Sequence, residues 1–350
     1  MFSERLKLAR KRHGLSLRNL SSRLTGLVSA QAIGKYERGE MMPSSPVAIA
    51  LAKALDVSVS YLLSPSVLSL QAVEFRKKAA TKAREQAMVK AAVLDHVDRY
   101  LQVEQLLALD DGDWDIPANA PYKVKSLGEA ESAAEALRCA WDLGGGPISN
   151  LTELLEERRI KVLKLDLPNS VDGLTCFVRT SGGGNIPVVV CSTAKSVERQ
   201  RFTLAHELGH MVMEVSGGVD EEKACHRFAG ALLAPRQELV RDVGLCRRHF
   251  GFSELVAVKN LFGISAAALV IRMRDLGIVG ETAVQNIFRG VGRTWRTKEP
   301  CPLDWAEEPR RFHRLCFRAL AEDVVSESKA AELLNIPVSE VERAMVGSAS

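Results

Sequence analysis

The sequence predicts a mostly helical α+β protein. An all-helical N-terminal domain is followed by a domain that joins a small β-sheet to a helix carrying paired histidines, and then by a helical C-terminal region. Three observations carry this expectation. Apolar residues recur at helical spacing through residues 4–63, as in Leu6, Ala9, Leu17, Leu20, Leu51 and Leu55. Three short, β-branched runs at 160–165, 174–179 and 186–191 are separated by Pro, Asn, Asp and Gly, as strands are. Helix-forming composition returns after residue 195 and again at the end of the chain.

The 350 residues are enough for two or three domains. With 46% apolar and 26% charged residues, the composition is that of a globular protein and excludes disorder over most of the length. No apolar run is long enough for a membrane span, so no membrane partner is expected. The first residues, MFSERLKLARKRHG, carry charges where an export signal needs an apolar stretch, and a cytoplasmic location is expected. Seven cysteines without a CxxC pair point to reduced thiols and exclude a cysteine-built zinc finger. The net charge of +4 is unevenly placed. Residues 1–63 hold ten Lys/Arg against four acids, a balance of +6, which leaves −2 for the rest. A basic first sixth suggests one domain that meets phosphate.

In chain order, short helices fill 4–63, with Gly14 and Ser16 as a stop and an N-cap and Ser29 as a second N-cap. A linker follows at 64–68. Residues 70–109 are helix-prone, 110–122 break the pattern, and a helix covers 127–142 before GGGP at 144–147. After the three strands, with SGGGN at 181–185 closing a hairpin, helices are expected at 195–215, 220–232, 253–260 and 265–276. The tail begins as loop at 280 and ends in a helix pair, 309–322 and 326–347, broken near Asn335 and Pro337. This gives domains at 1–65, 66–145 (a helical connector), 146–280 and 281–350.

The most informative residues are His206-Glu207-Leu208-Gly209-His210. On a helix, positions four apart share a face, so both imidazoles can reach one zinc ion while Glu207 projects beside its water. Chance would place about 0.01 such motifs in a chain of this composition. A catalytic zinc needs a third protein ligand and an open position. Glu222 is the choice, because it lies four residues before His226 and six before Phe228 on the next helix. Asp220, Glu221, Cys225 and His226 remain alternatives. His226 otherwise orients a ligand or contacts substrate. With these ligands, Glu207 acts as the general base of an amide hydrolase.

The N-terminal pattern runs from Arg5-Leu6 and Ala9-Arg10 through Gly14-Leu15-Ser16 to Ser29-Ala30-Gln31-Ala32-Ile33-Gly34-Lys35, and then to Tyr36-Glu37-Arg38-Gly39 and Pro43. It resembles the helix-turn-helix domain of Cro and the lambdoid repressors over about 60 residues. By position in that pattern, Ser29, Ala30, Gln31 and Lys35 face bases, with Gln31 able to pair with adenine, while Arg18 and Arg38 suit phosphates. The turn at 24–27 is about two residues longer than in those repressors, and Leu17 stands where they carry a polar residue.

Taken together, the chain resembles regulators that fuse a Cro-type helix-turn-helix to an ImmA/IrrE metallopeptidase domain. The resemblance rests on Arg201-Phe202-Thr203-Leu204-Ala205 leading into the motif, and on Phe228-Ala229-Gly230-Ala231-Leu232-Leu233-Ala234-Pro235. The family's glutamate ligand, six positions before the phenylalanine, falls on Glu222; Cys225-His226 departs from the usual Ala-Asn. The resemblance implies a zincin-like domain with zinc as cofactor, a cytoplasmic endopeptidase, and a protein substrate such as a helix-turn-helix repressor. Mobile-element, stress-response or toxin–antitoxin contexts are all compatible. A two-fold operator would call for a homodimer.

Two other readings stay open. One is a repressor or antitoxin whose HExxH domain binds metal or a partner without cutting. The other is a zinc-sensing regulator. The run at 70–109, with Phe75-Arg76-Lys77-Lys78, reads as a lid on the catalytic domain in preference to a dimerisation or sensor arm. The tail loosely resembles another helix-turn-helix, but Glu322, Asp323, Glu327, Glu332, Glu340 and Glu342 argue against a groove-binding surface and favour a packing or oligomerisation hairpin. Trp295 and Trp305, flanked by Arg293, Arg296 and Lys298, anchor a loop or bind a ligand.

Overall fold

The computed structural model describes residues 2–64, 68–75, 83–109, 114–168, 171–180, 184–295 and 297–346. It is mostly helical with small sheets, the α+β class expected. Among the described residues no single helix is long and apolar enough to cross a membrane. The chain forms two compact units that do not follow chain order. Unit 1 is Met1–Asp113 with Cys176–Pro187 and Arg310–Ser350, and unit 2 is Trp114–Thr175 with Val188–Pro309.

Unit 1 opens with α1 (Phe2–Arg12), α2 (Leu17–Arg23), α3 (Ala30–Glu37), α4 (Ser45–Ala54) and α5 (Val59–Leu63). The serines start these helices as expected: Ser16 accepts from the Asn19 amide and Ser29 from the Ala32 amide. Leu6, Leu20, Ile33, Leu51 and Leu55 fill the core, and Leu17 packs against it, which explains an apolar residue at that position. Arg10 binds both carboxylate oxygens of Glu37 at 2.5 and 2.7 Å and the Leu15 carbonyl at 2.6 Å, tying α1 to α3. The long turn is absorbed by Thr25 and Gly26, both left-handed (φ 51° and 80°), with Ser21 donating to the Val28 carbonyl at 2.6 Å.

The stretch expected as a helical connector begins instead with a strand, β1 (Leu68–Phe75), and α6 (Ala83–Leu106) starts only at Ala83. The alternation Leu68-Ser69-Leu70-Gln71 suits the two-residue strand period, and β4 (Gly173–Thr180) offers an antiparallel edge through Cys176–Thr180. The linker residues 65–67, the basic residues 76–78, the hairpin tip 181–183 and Arg296 lie outside the described residues.

Expected as a lid on the catalytic domain, α6 belongs to unit 1 and is its spine. Asp98 pairs with Arg5 at 2.6 Å with both side chains 1% exposed. Asp95 accepts from Arg12 at 2.7 Å, Tyr61 at 2.5 Å and Arg99 at 3.2 Å. Arg99, Arg12 and Tyr61 hold the Asp95 carboxyl below the usual carboxylate range despite its burial. The tail helices α15 (Arg311–Ala321), α16 (Glu327–Leu334) and α17 (Val338–Val346) complete this unit. Arg99 donates to the Leu333 carbonyl at 2.6 Å, Arg311 pairs with Glu104, and Glu332 accepts from Ser58 and Ser60. Asn335 breaks the hairpin in the left-handed region (φ 56°), as the sequence suggests. The tail is thus a packing element.

Unit 2 holds β2 (Tyr122–Val124), α7 (Leu127–Ala140), α8 (Leu151–Glu157), β3 (Lys161–Leu165), the part of β5 (Asn185–Ser192) from Val188 onward, and α9 (Val197–Val212). It continues with β6 (Met213–Val215), α10 (Glu221–Leu233), α11 (Arg236–Val243), α12 (Phe252–Phe262), α13 (Ala266–Asp275) and α14 (Glu281–Arg289). β3 and β5 pair in parallel, Lys161 opposite Val188 to Leu165 opposite Ser192. β6 leaves α9 directly and pairs in parallel with β2. An extended strap after α14 closes the unit. Its Glu299 meets Lys259, its Leu303 amide donates to Glu198, and its Glu307 meets Arg201 and caps the first amides of α8. The central pair, Lys259 and Glu198, lies 2.8 Å apart and is fully buried. Arg201, inside the sequence run before the motif, also donates to the carbonyls of Gly263 and Ile148 and stacks on Trp305, so this tryptophan anchors the strap.

Candidate functional site

α9 starts at Ser196, whose hydroxyl accepts from the Arg199 amide, and buries Leu204, Ala205, Leu208 and Val212. α10 packs against it through Phe228. A Cβ on Gly209 would lie 3.0 Å from the Phe228 ring, so the glycine inside the motif sets how closely the two helices approach. Glu222, six residues before Phe228, is thereby brought opposite the histidines.

Its carboxylate bridges them. Glu222 Oε2 is 3.2 Å from His206 Nε2, and Oε1 is 3.5 Å from His210 Nε2. The three donor groups lie within 4.8 Å of one another. Bond lengths of 2.0–2.2 Å around a tetrahedral zinc put donors about 3.3 Å apart, so the donor set fits that ion in type and spacing. Of the alternatives considered for the third ligand, Asp220 is used as the N-cap of α10, accepting from the Lys223 amide. Glu221 faces the other side of the ring, 3.1 Å from His210 Nδ1, and Cys225 Sγ is 3.4 Å from the same nitrogen. A carboxylate on the far nitrogen fixes the tautomer and orientation of a metal-binding imidazole.

Burial pushes the His206 pKa down to about 3, helped by the neighbouring His226 and His210. The ring is therefore neutral, the form a metal ligand needs. His226 is exposed at the rim. Its Nδ1 donates to the Glu222 carbonyl at 2.6 Å, and its ring meets that of His206 edge-on at 4.5 Å. Glu207 is buried beside the pair, and burial raises its pKa above the usual carboxylate range. Thr175 of β4 donates to its Oε2 at 2.8 Å. Neither Thr175 nor Gly173 was expected at the site. A glycine opening a strand signals close backbone approach, whereas a threonine in an apolar strand carries no such signal.

In unit 1, Arg18, Gln31, Lys35 and Arg38 are exposed, and Ala30 is half-buried at the start of α3. Ser29 is exposed, with its hydroxyl engaged as the helix cap. Arg38 is held by Glu40 through two hydrogen bonds, one of them at 3.0 Å.

Comparison with known families finds two domains in the chain. The family described as Helix-turn-helix matches residues 6–62, and the IrrE N-terminal-like domain matches residues 155–274. The chain is a fusion of a Cro/C1-type helix-turn-helix domain with an IrrE-like domain of metallopeptidase type. Among curated sequences none matches it.

Proposed function

We propose that this protein is a DNA-binding transcriptional regulator whose second unit is a zinc endopeptidase that cuts a protein partner, such as a helix-turn-helix repressor or the product of a neighbouring gene. The observation that carries this reading is the convergence of His206, His210 and Glu222 with a buried glutamate, Glu207, beside them. His206, His210 and Glu222 hold the zinc. When bound, zinc supplies Lewis acidity and brings the pKa of its water toward neutrality. Glu207 takes up a proton on its carboxylate and gives it to the leaving amine, a role suited to a carboxylate whose pKa burial has raised. Metal binding alone does not need that glutamate and chemistry does, which favours an enzyme over a metal-binding repressor or a zinc sensor. His226 lines the approach for substrate. Gln31 and Lys35 read bases from α3, while Arg18 and Arg38 hold phosphates and Ser29 and Ala30 set the helix start against the groove. Two-fold operators suit a homodimer, and the cytoplasm suits a DNA-binding chain whose seven cysteines form no disulfide.

The test is incubation of the zinc-loaded protein with a mixed library of peptides from cell proteins, read by mass spectrometry. Cleavage that a chelator stops and added zinc restores supports the proposal. Operator binding that weakens steeply with salt, with no peptide or candidate partner cut, supports the plain repressor instead.

A further inference from the structure

We infer that Thr175 is a positioning residue for Glu207: its hydroxyl clamps one carboxylate oxygen and so presents the other to the reacting centre. This rests on the peptidase reading above.

The hydroxyl touches Glu207 at both ends. Oγ1 lies 2.8 Å from Oε2 and 3.1 Å from the backbone carbonyl of the same residue. A hydroxyl carries one hydrogen, and the shorter contact takes it. A side chain tied to a group that also meets its own backbone has few rotamers left. Among the described residues Glu207 Oε1 receives no hydrogen bond, so the clamp leaves that oxygen for chemistry. Thr175 is itself 1% exposed. Water therefore does not substitute for it.

The contact is built, because β4 must come unusually near α9 to make it. Two residues earlier, a Cβ on Gly173 would lie 2.3 Å from the Thr203 side chain and 2.6 Å from the Val190 carbonyl. Only glycine allows that approach, which brings the Thr175 hydroxyl within reach of Glu207. A threonine serving only the packing of an apolar strand is replaceable by valine, which has the same shape and lacks the hydroxyl.

Thr175→Val and Thr175→Ser separate these roles. Crystal structures of both zinc-loaded variants and steady-state cleavage of one library peptide are the readouts. In Thr175→Val the Glu207 carboxylate leaves its position, and kcat falls about 10- to 100-fold with KM and zinc stoichiometry unchanged. In Thr175→Ser both are restored. A Glu207 carboxylate that stays in place in Thr175→Val, or a Thr175→Ser that falls as far as the valine variant, overturns the inference. If wild type cuts no peptide, the peptidase reading fails, and the two crystal structures alone decide whether Thr175 positions Glu207.

Discussion

His96 in α6 and His206 in α9 are both held neutral by burial, each with its pKa pushed down to about 3. Their surroundings differ. His96 sits against Phe312 at 5.0 Å and Tyr100 at 6.5 Å, with Arg99 adding to the shift and Asp95 opposing it. His206 faces a second imidazole and a carboxylate whose oxygen is 3.2 Å from its Nε2. The pair shows that a displaced pKa marks burial, whereas donor atoms converging on one point mark a site. In unit 1 the buried carboxylates serve structure: Asp95 meets Arg12, Arg99 and Tyr61, and Asp98 meets Arg5 and Gln102. In unit 2, Glu222 faces the imidazoles of His206 and His210 and remains largely exposed.

The largest expected effect breaks the metal set. Glu222→Ala weakens zinc binding on the order of 10³-fold, while Glu221→Ala, which removes the support behind His210, weakens it about 10- to 100-fold. Competition with a zinc chelator measures both. His96→Phe leaves zinc affinity unchanged, and a loss there would erase the distinction between the two histidines.

A smaller effect concerns acid. The folded His96 titrates near 3 and the unfolded one near 6.5, so protons bind the unfolded chain first. Stability is full above about pH 6.5 and declines as the pH falls toward 3, by at most about 1.4 kcal/mol per unit from this group. In urea unfolding at pH 7 and pH 5, His96→Phe should lose about 1–2 kcal/mol less than wild type between the two. An equal loss in both proteins would show that His96 is not held neutral by the fold.

The sequence made local patterns legible. The four-residue spacing of His206 and His210, the serines that cap helices, and the interval between Glu222 and Phe228 depend on residues within two turns of one another. What it hid was contact across the chain. β1 was masked by the Ala-, Lys- and Glu-rich run that follows it, and its partner β4 lies a hundred residues on. Nothing in Arg5 or Asp98 announces that they meet, and α6 looks like a lid in the sequence because its place against α1 depends on such pairs. Thr175 and Glu307 were invisible for the same reason: their roles are set by a partner on another element. The acidic tail was legible in part. Its charges argued against a DNA groove, and Glu332 is bound to Ser58 and Ser60, yet the sequence held no sign of which surface it covers.

The central claim is that unit 2 is a peptidase whose base is Glu207. Its most direct test is cleavage of one library peptide by wild type and Glu207→Gln, with zinc content measured on the same samples. The account predicts equal zinc and a rate lower by at least about 10²-fold in the variant. A Glu207→Gln protein that binds zinc and cuts at the wild-type rate would contradict it.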